Sequence, residues 1–187
     1  MIQTKKDLRF YIQEDRWRNN QNHGFLRYWY NLLKGNEQAH AFHYLRMMRY
    51  QEFHLNNKGV FHKLMAFYYG IRKGRLGLKY SIDIQPNTCG YGLRIMHLSG
   101  GGILANVNKI GNYCGLNAGV VIGNNRGDEN RPTIGNHVAF GPGSKAFGRI
   151  IIGNNVFVAP NAVVVKDIPN DVIVGGIPAK VLKMNSK

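Results

Sequence analysis

The sequence predicts an all-β parallel β-helix preceded by an α-helical N-terminal segment. Three observations predict it. A six-residue apolar beat runs through the second half of the chain, glycine concentrates in that half, and aromatic and basic residues concentrate in the first. Residues 1–82 hold 15 Lys and Arg against 5 Asp and Glu, with 16 of the 21 aromatic residues, whereas residues 83–187 hold 17 of the 23 glycines. This shift divides the chain into a helical N-terminal segment, residues 1–80, and a β-helix over residues 81–187.

The first segment reads as helix from its spacing. Phe42, Leu45, Met48 and Phe53 recur near a 3.6-residue period, and Phe61, Leu64, Met65, Tyr68 and Tyr69 repeat the pattern. The segment contains no proline. Asn22 or Asn36 can serve as a helix N-cap, and Gly70, Gly74 and Gly77 are expected to break the last helix.

In the second segment the tripeptide Ile-Gly-Asn begins at Ile110, Ile122, Ile134 and Ile152, at separations of 12, 12 and 18. The intermediate steps of six fall on Leu116, Phe140, Ala146, Val158 and Val164. Position 128 is an Asp in a polar stretch, so residues 124–133 are expected to form a loop pushed out of the repeat. Four residues after each anchor the chain is again small or apolar: Cys114, Val120, Val138, Ser144, Ile150, Val156, Ala162 and Ile168. Short strands that turn one side chain into a narrow prism, with Gly and Asn at the turns, give this beat. Each coil then buries its face only against its neighbours.

Composition excludes several classes. The chain has 187 residues, a formal charge of +15, 44% hydrophobic residues and 19% charged ones. That apolar content supports a core and excludes global disorder. No apolar run approaches the roughly 18 residues of a membrane span, and the polar Met1–Asp7 start does not read as a signal peptide. A soluble cytoplasmic protein is expected. Cys89 and Cys114 form neither a disulfide scaffold nor a zinc box.

The chain ends on Val165-Lys166-Asp167-Ile168-Pro169 and Val174-Gly175-Gly176-Ile177-Pro178-Ala179-Lys180. With the hexads, this phrase resembles the end of the left-handed β-helix, or hexapeptide-repeat, acyltransferases. Within them the sequence is most similar to the serine acetyltransferase branch and its relatives that acetylate surface sugars. The helical N-terminal segment, Ile82-Asp83-Ile84-Gln85-Pro86, and His97 fourteen residues after Asp83 carry that resemblance. It implies a left-handed coil, acetyl-CoA as co-substrate without a metal, and a homotrimer with active sites between subunits, which the helical segment can double into a dimer of trimers.

The resemblance also implies roles. His97 is the general base on the acceptor hydroxyl and Asp83 orients its imidazole. A hydroxyl is a poor nucleophile near neutral pH, and a base in hydrogen-bond reach gains about 10²–10⁴-fold, while an adjacent carboxylate fixes the tautomer. Backbone N–H groups near Gly100, Gly101 and Gly102 are placed to meet the oxyanion. Asn124, Pro142 and Pro160 match positions along the pantetheine arm, and Lys166 and Lys180 would face the nucleotide phosphates.

Several positions depart from the serine enzymes. The Asp-Ile-His-Pro segment reads Asp83-Ile84-Gln85-Pro86. Met96 stands where those enzymes carry an Asp before the catalytic His, and Asn130-Arg131-Pro132 replaces Arg-His-Pro. Without a carboxylate at 96, little is left to hold an ammonium. The reading therefore expects a rebuilt acceptor pocket around Met96 and Arg131 and a sugar hydroxyl of capsular or exopolysaccharide biosynthesis as acceptor, with serine as the alternative. Arg126 and Arg131 would meet an acidic sugar or a lipid-linked diphosphate.

Two other classes stay open: an inactive β-helical scaffold and a basic nucleic-acid-binding protein. Arg16, Trp17, Arg18, Arg27, Tyr28 and Trp29 interleave basic and aromatic residues. They suit an oligomerisation helix or an approach to anionic lipid headgroups. No nucleic-acid motif accompanies them, so no nucleic-acid partner is expected. His40 and His43, three apart on one helix, with His54 beyond, are the histidine pattern nearest to a metal site, and no metal is expected.

Overall fold

A computed structural model describes residues 1–127 and 129–185 of the chain; Asp128, which the repeat singles out, lies outside the described residues. Four helices come first: α1 Lys5–Arg18, α2 Phe25–Leu33, α3 Glu37–Leu55 and α4 Val60–Tyr80. Thr4 and Asp7 form a capping box at the start of α1. Asn36 caps α3 by accepting from Ala39 N at 2.9 Å, whereas Gly24, not Asn22, precedes α2.

The glycine expectation for the last helix is corrected. α4 runs unbroken through Gly70, Gly74 and Gly77 and ends at Ser81, which adopts φ 55°. Gly77 serves packing: a Cβ there would lie 2.6 Å from the Ile82 carbonyl oxygen, where the chain doubles back into the first strand.

Fourteen short strands follow. One face holds β1 Ile82–Ile84, β3 Ile103–Ala105, β6 Val121–Gly123, β9 Lys145–Phe147 and β12 Val163–Val164. A second holds β4 Lys109–Ile110, β7 Thr133–Ile134 and β10 Ile151–Ile152. The third holds β2 Arg94–Ile95, β5 Gly115–Leu116, β8 Ala139–Phe140, β11 Phe157–Val158 and β13 Val172–Gly175, with β14 Lys180–Met184 folded back antiparallel on β13. The other pairings are parallel and join equivalent positions of successive coils, such as Ile95–Leu116–Phe140–Val158. The chain is therefore a parallel β-solenoid of about four turns. All nine anchors read from the sequence are fully interior, from Ile110 to Val164. The loop is one residue shorter than expected, because Thr133 pairs with Lys109 and Ile151 in the sheet.

The structure explains the tripeptide. Asn136, Asn154 and Asn170 each turn a side-chain oxygen to the backbone N–H of Asn112, Asn136 and Asn154 on the preceding coil, at 2.7–2.8 Å. The glycines before Asn112, Asn136 and Asn154 have no room for a Cβ, which at Gly111, Gly135 and Gly153 would come within 2.5–2.7 Å of the next coil. Ile122-Gly123-Asn124 sits on another edge and opens the protruding loop, so the four copies are not equivalent. The first coil, with Ile84, Cys89, Ile95 and Ala105 interior, is invisible to the six-residue beat because extra residues interrupt it after His97.

The helices and solenoid share one apolar cluster, in which Ala41, Tyr44, Leu45 and Met48 of α3 pack under the first coil. On the outside, α4 exposes Phe61, Leu64 and Phe67, and α2 exposes Phe25, Leu26 and Leu33. Among the described residues no helix is long and apolar enough to cross a membrane.

Candidate active site

His97 lies on the edge where the β2 face turns into the β1 face. In the coils above, the left-handed residues of this edge are Gly119, Gly143 and Asn161, each three positions after its anchor. In the first coil it is His97, two positions after Ile95, at φ 57° and ψ 58°. A non-glycine residue there carries backbone strain. The chain then bulges through a 3₁₀ turn, Leu98–Gly100, closed by Gly100 N donating to His97 O at 3.0 Å, before β3 begins. The bulge leaves the imidazole exposed at the surface of the prism.

Both flanks of His97 are held from the helical segment. Asn19 takes the Ile95 N–H at 3.2 Å and donates to the Leu93 carbonyl at 2.8 Å. Glu37, the first residue of α3, accepts from Ser99 N at 3.2 Å and more closely from Ser99 Oγ. These bonds, with the His97 ring nearby, hold the Glu37 carboxyl below the usual glutamate range.

Asp83 points outward from β1, on the face His97 adjoins. It lines a groove of about 700 Å³ between the end of α4 and the β1 face, together with Lys73, Gly77, Leu78, Leu104 and Val121. Within the chain, among the described residues, no hydrogen bond joins His97 to Asp83. Of the residues matched to CoA, Pro142 and Pro160 lie on the same edge as His97, each two positions after the anchor that pairs with its coil neighbour. Asn124 and Lys166 sit on the opposite edge of the β1 face, and Lys180 opens β14 at the far end. One chain does not gather all of these on one edge.

Two departures from the family pattern meet. Arg131 Nη1 donates to Gln85 Oε1 at 3.5 Å, and its carbonyl accepts from Asn108. Arg131 thus stands beside the Asp83-Ile84-Gln85-Pro86 segment, while Met96 stands half-buried next to His97 across the face. The sequence, read position by position, placed Met96 and Arg131 in one acceptor pocket; a single chain separates them by the width of a solenoid face.

His40, His43, His54 and His62 and both cysteines are engaged elsewhere. His40 and His43 each share a 2.7 Å hydrogen bond with a tyrosine hydroxyl, Tyr80 and Tyr28, and His54 pairs with His62. Burial pushes the Cys89 and Cys114 thiols up to about 12 and about 11, so neither is a nucleophile at neutral pH. Arg16 is turned onto the Gln21 and His23 carbonyls and Arg18 onto Tyr113 O, so part of the basic segment braces the fold.

No family model matches the chain. A serine acetyltransferase of Synechococcus elongatus is 35% identical over 104 residues, covering 54% of this chain and 42% of the relative, so the match spans under half of that relative's length. A serine acetyltransferase of Neisseria gonorrhoeae in complex with serine superposes with a TM-score of 0.69 at 23% identity, over 95% of this chain and 70% of that one. One from Brucella abortus in complex with coenzyme A gives 0.68 at 22% identity, over 96% and 67%. These relatives overturn the expectation of a sugar hydroxyl as acceptor and do not bear out a nearest branch among polysaccharide enzymes. That expectation rested on the missing carboxylate at Met96, and local sequence does not reveal which carboxylates a distant helix brings to the same turn. Over those 104 residues the chain is similar in sequence to the serine acetyltransferases, and its fold is that of the hexapeptide-repeat acyltransferases.

Proposed function

We propose that this chain transfers the acetyl group of acetyl-CoA to the hydroxyl of L-serine. The observation that carries the reading is the chain's similarity to serine acetyltransferases over 104 residues, with His97 exposed on a strained turn at the family spacing from Asp83. The serine oxygen attacks the thioester carbonyl, a C–O bond forms and the C–S bond breaks. The hydroxyl proton passes to His97 and from it to the departing sulfur, leaving O-acetylserine and the CoA thiol. Asp83, on the adjoining face, is assigned to orient the imidazole; such contacts are often long in a free enzyme and tighten in the reacting complex.

The reading includes a homotrimer. The edge carrying Asn124 and Lys166 on one chain would then oppose the edge carrying His97, Pro142 and Pro160 on the next, and CoA would lie between them. Its phosphates would fall toward Lys166 and Lys180, and its presence makes the cytoplasm the compartment of this reading.

A thiol-release assay tests the function. CoA release should require both acetyl-CoA and L-serine, and His97→Ala should lower turnover about 10²–10⁴-fold with the fold intact by circular dichroism. Wild-type protein without serine-dependent release overturns the reading, and an active His97→Ala variant removes His97 from the mechanism.

A further inference from the structure

We propose that Glu37, contributed by the helical segment, is the carboxylate that pairs with the ammonium group of the amino-acid acceptor; the inference rests on the serine reading above. A free amino acid brings an ammonium group to the base, and a site that withdraws that charge from water must return an opposite one. The residue before His97 is Met96, which carries no charge. Asp83 faces the groove beside Lys73, whose ammonium it favours. The carboxylate that the structure brings to the turn after His97 is Glu37, sixty residues earlier in the chain.

Its geometry suits the role. Oε1 is committed to Ser99 N and Ser99 Oγ, which fixes the carboxylate plane, while Oε2 takes no hydrogen bond from the described residues. The side chain is ionised at neutral pH, because the Ser99 bonds and His97 favour its charged form. It lines a cavity of about 330 Å³, with His40, Lys79, Tyr80, Ser81 and Ser99 around it. His40 is pulled down by burial and by Lys79 and hydrogen-bonds Tyr80, so at neutral pH it does not neutralise Glu37. The cavity therefore presents one anion, Glu37, and one cation, Lys79, to a ligand that carries one of each. Its wall includes Leu98 and Ser99, the two residues that follow His97.

Steady-state kinetics of wild-type protein, Glu37→Gln and Glu37→Asp with L-serine and acetyl-CoA test the assignment, with 3-hydroxypropionate, which lacks the ammonium, as a competitor of serine. Glu37→Gln should raise the KM for L-serine about 10- to 100-fold, the range for losing a charge-assisted hydrogen bond. The KM for acetyl-CoA and the Ki of 3-hydroxypropionate should stay within about twofold, and Glu37→Asp should recover part of the serine affinity. A merely structural role would weaken both acceptor-site ligands together. The assignment is overturned if Glu37→Gln keeps the wild-type KM for serine, or if serine and 3-hydroxypropionate weaken in equal proportion. If Glu37→Gln does not fold, Glu37→Ala takes its place, and a wild-type KM for serine in that variant overturns the assignment equally. Wild-type protein that does not use serine overturns the underlying reading and this inference with it, whereas active wild type beside an indifferent Glu37→Gln sinks the inference alone.

Discussion

His43 lies on α3 with its ring Nδ1 2.7 Å from the Tyr28 hydroxyl, half-buried beneath α2. Burial, with Arg46 and Arg72 nearby, brings its pKa from 6.5 down to about 4. The folded protein therefore keeps this ring neutral at pH values where the unfolded chain protonates it. The stability this contributes is fully present above about pH 6.5 and is lost as pH falls through about 4. Partial exposure discounts the loss to roughly 1–2 kcal/mol. Urea denaturation at pH 7.5 and 4.5 should show it, and His43→Gln, which keeps a hydrogen-bonding group without titrating, should show a smaller loss; an equal loss in the variant would dismiss His43 as its source. The same residue shows how a sequence pattern misleads. His40 and His43 have the spacing of a ligand pair, but the tyrosines that hold them lie 40 and 15 positions away, so nothing local distinguishes a metal ligand from a tyrosine's partner.

At the scale of single elements, α4 makes the contrast between glycines measurable. A Cβ at Gly74 meets nothing within 4 Å, whereas one at Gly77 would press on the Ile82 carbonyl at 2.6 Å. Gly74→Ala should stabilise the protein by about 0.5–1 kcal/mol through helix propensity and a less flexible unfolded chain. Gly77→Ala should destabilise it by roughly 1–3 kcal/mol, since backbone must move to admit the methyl group. Urea midpoints of the two variants should shift in opposite directions, and a common direction would show that the α4–β1 reversal does not need its glycine. Propensity alone reads both residues as breakers. The apolar beat, by contrast, transmits the solenoid directly, because each anchor has one environment, the prism interior, wherever it falls. The beat fails where the chain adds residues, after His97 and through the protruding loop, and these are the places where the candidate site is built. Met96 and Arg131 were legible as departures from a pattern; Glu37 was not, because only the docking of α3 brings it within reach of Ser99.

On the scale of the whole molecule, the helical segment ends the solenoid as well as flanking its site. A first coil has no coil beneath it, so its strands expose unpaired N–H and C=O groups, an edge that solenoids must cover. Here side chains stand in for the missing coil on all three faces. Tyr44 OH accepts from Ile84 N while Lys73 Nζ donates to Ile84 O. Glu52 accepts from Asn87 N, and Arg49 donates to the Cys89 and Gly90 carbonyls. Asp15 accepts from Leu93 N, and Asn19 bonds both Leu93 O and Ile95 N. Arg49 ties these together: wholly buried, it also binds Asp15 at 2.8 Å and Glu52 at 3.0 Å, and their charges push its pKa up. Replacing Arg49 with Met keeps volume but strands two buried carboxylates and two carbonyls, so Arg49→Met should cost about 3–5 kcal/mol. Because these bonds of Arg49 and its neighbours fall on the first coil, with only Glu14 and Arg18 among the described hydrogen bonds reaching Tyr113 of the second, that loss has a spatial signature. Amide hydrogen exchange should accelerate at Asn87, Leu93 and Ile95, whereas amides bonded between upper coils, such as Ala139 and Lys145, should keep more of their protection. Uniform acceleration through every coil would instead make the solenoid one cooperative unit. The same Arg49→Met protein carries a functional consequence, since Asn19 and Asp15 hold β2 immediately before His97: under the proposed reaction its turnover should fall more than its affinity for acetyl-CoA, whose matched positions lie beyond the first coil.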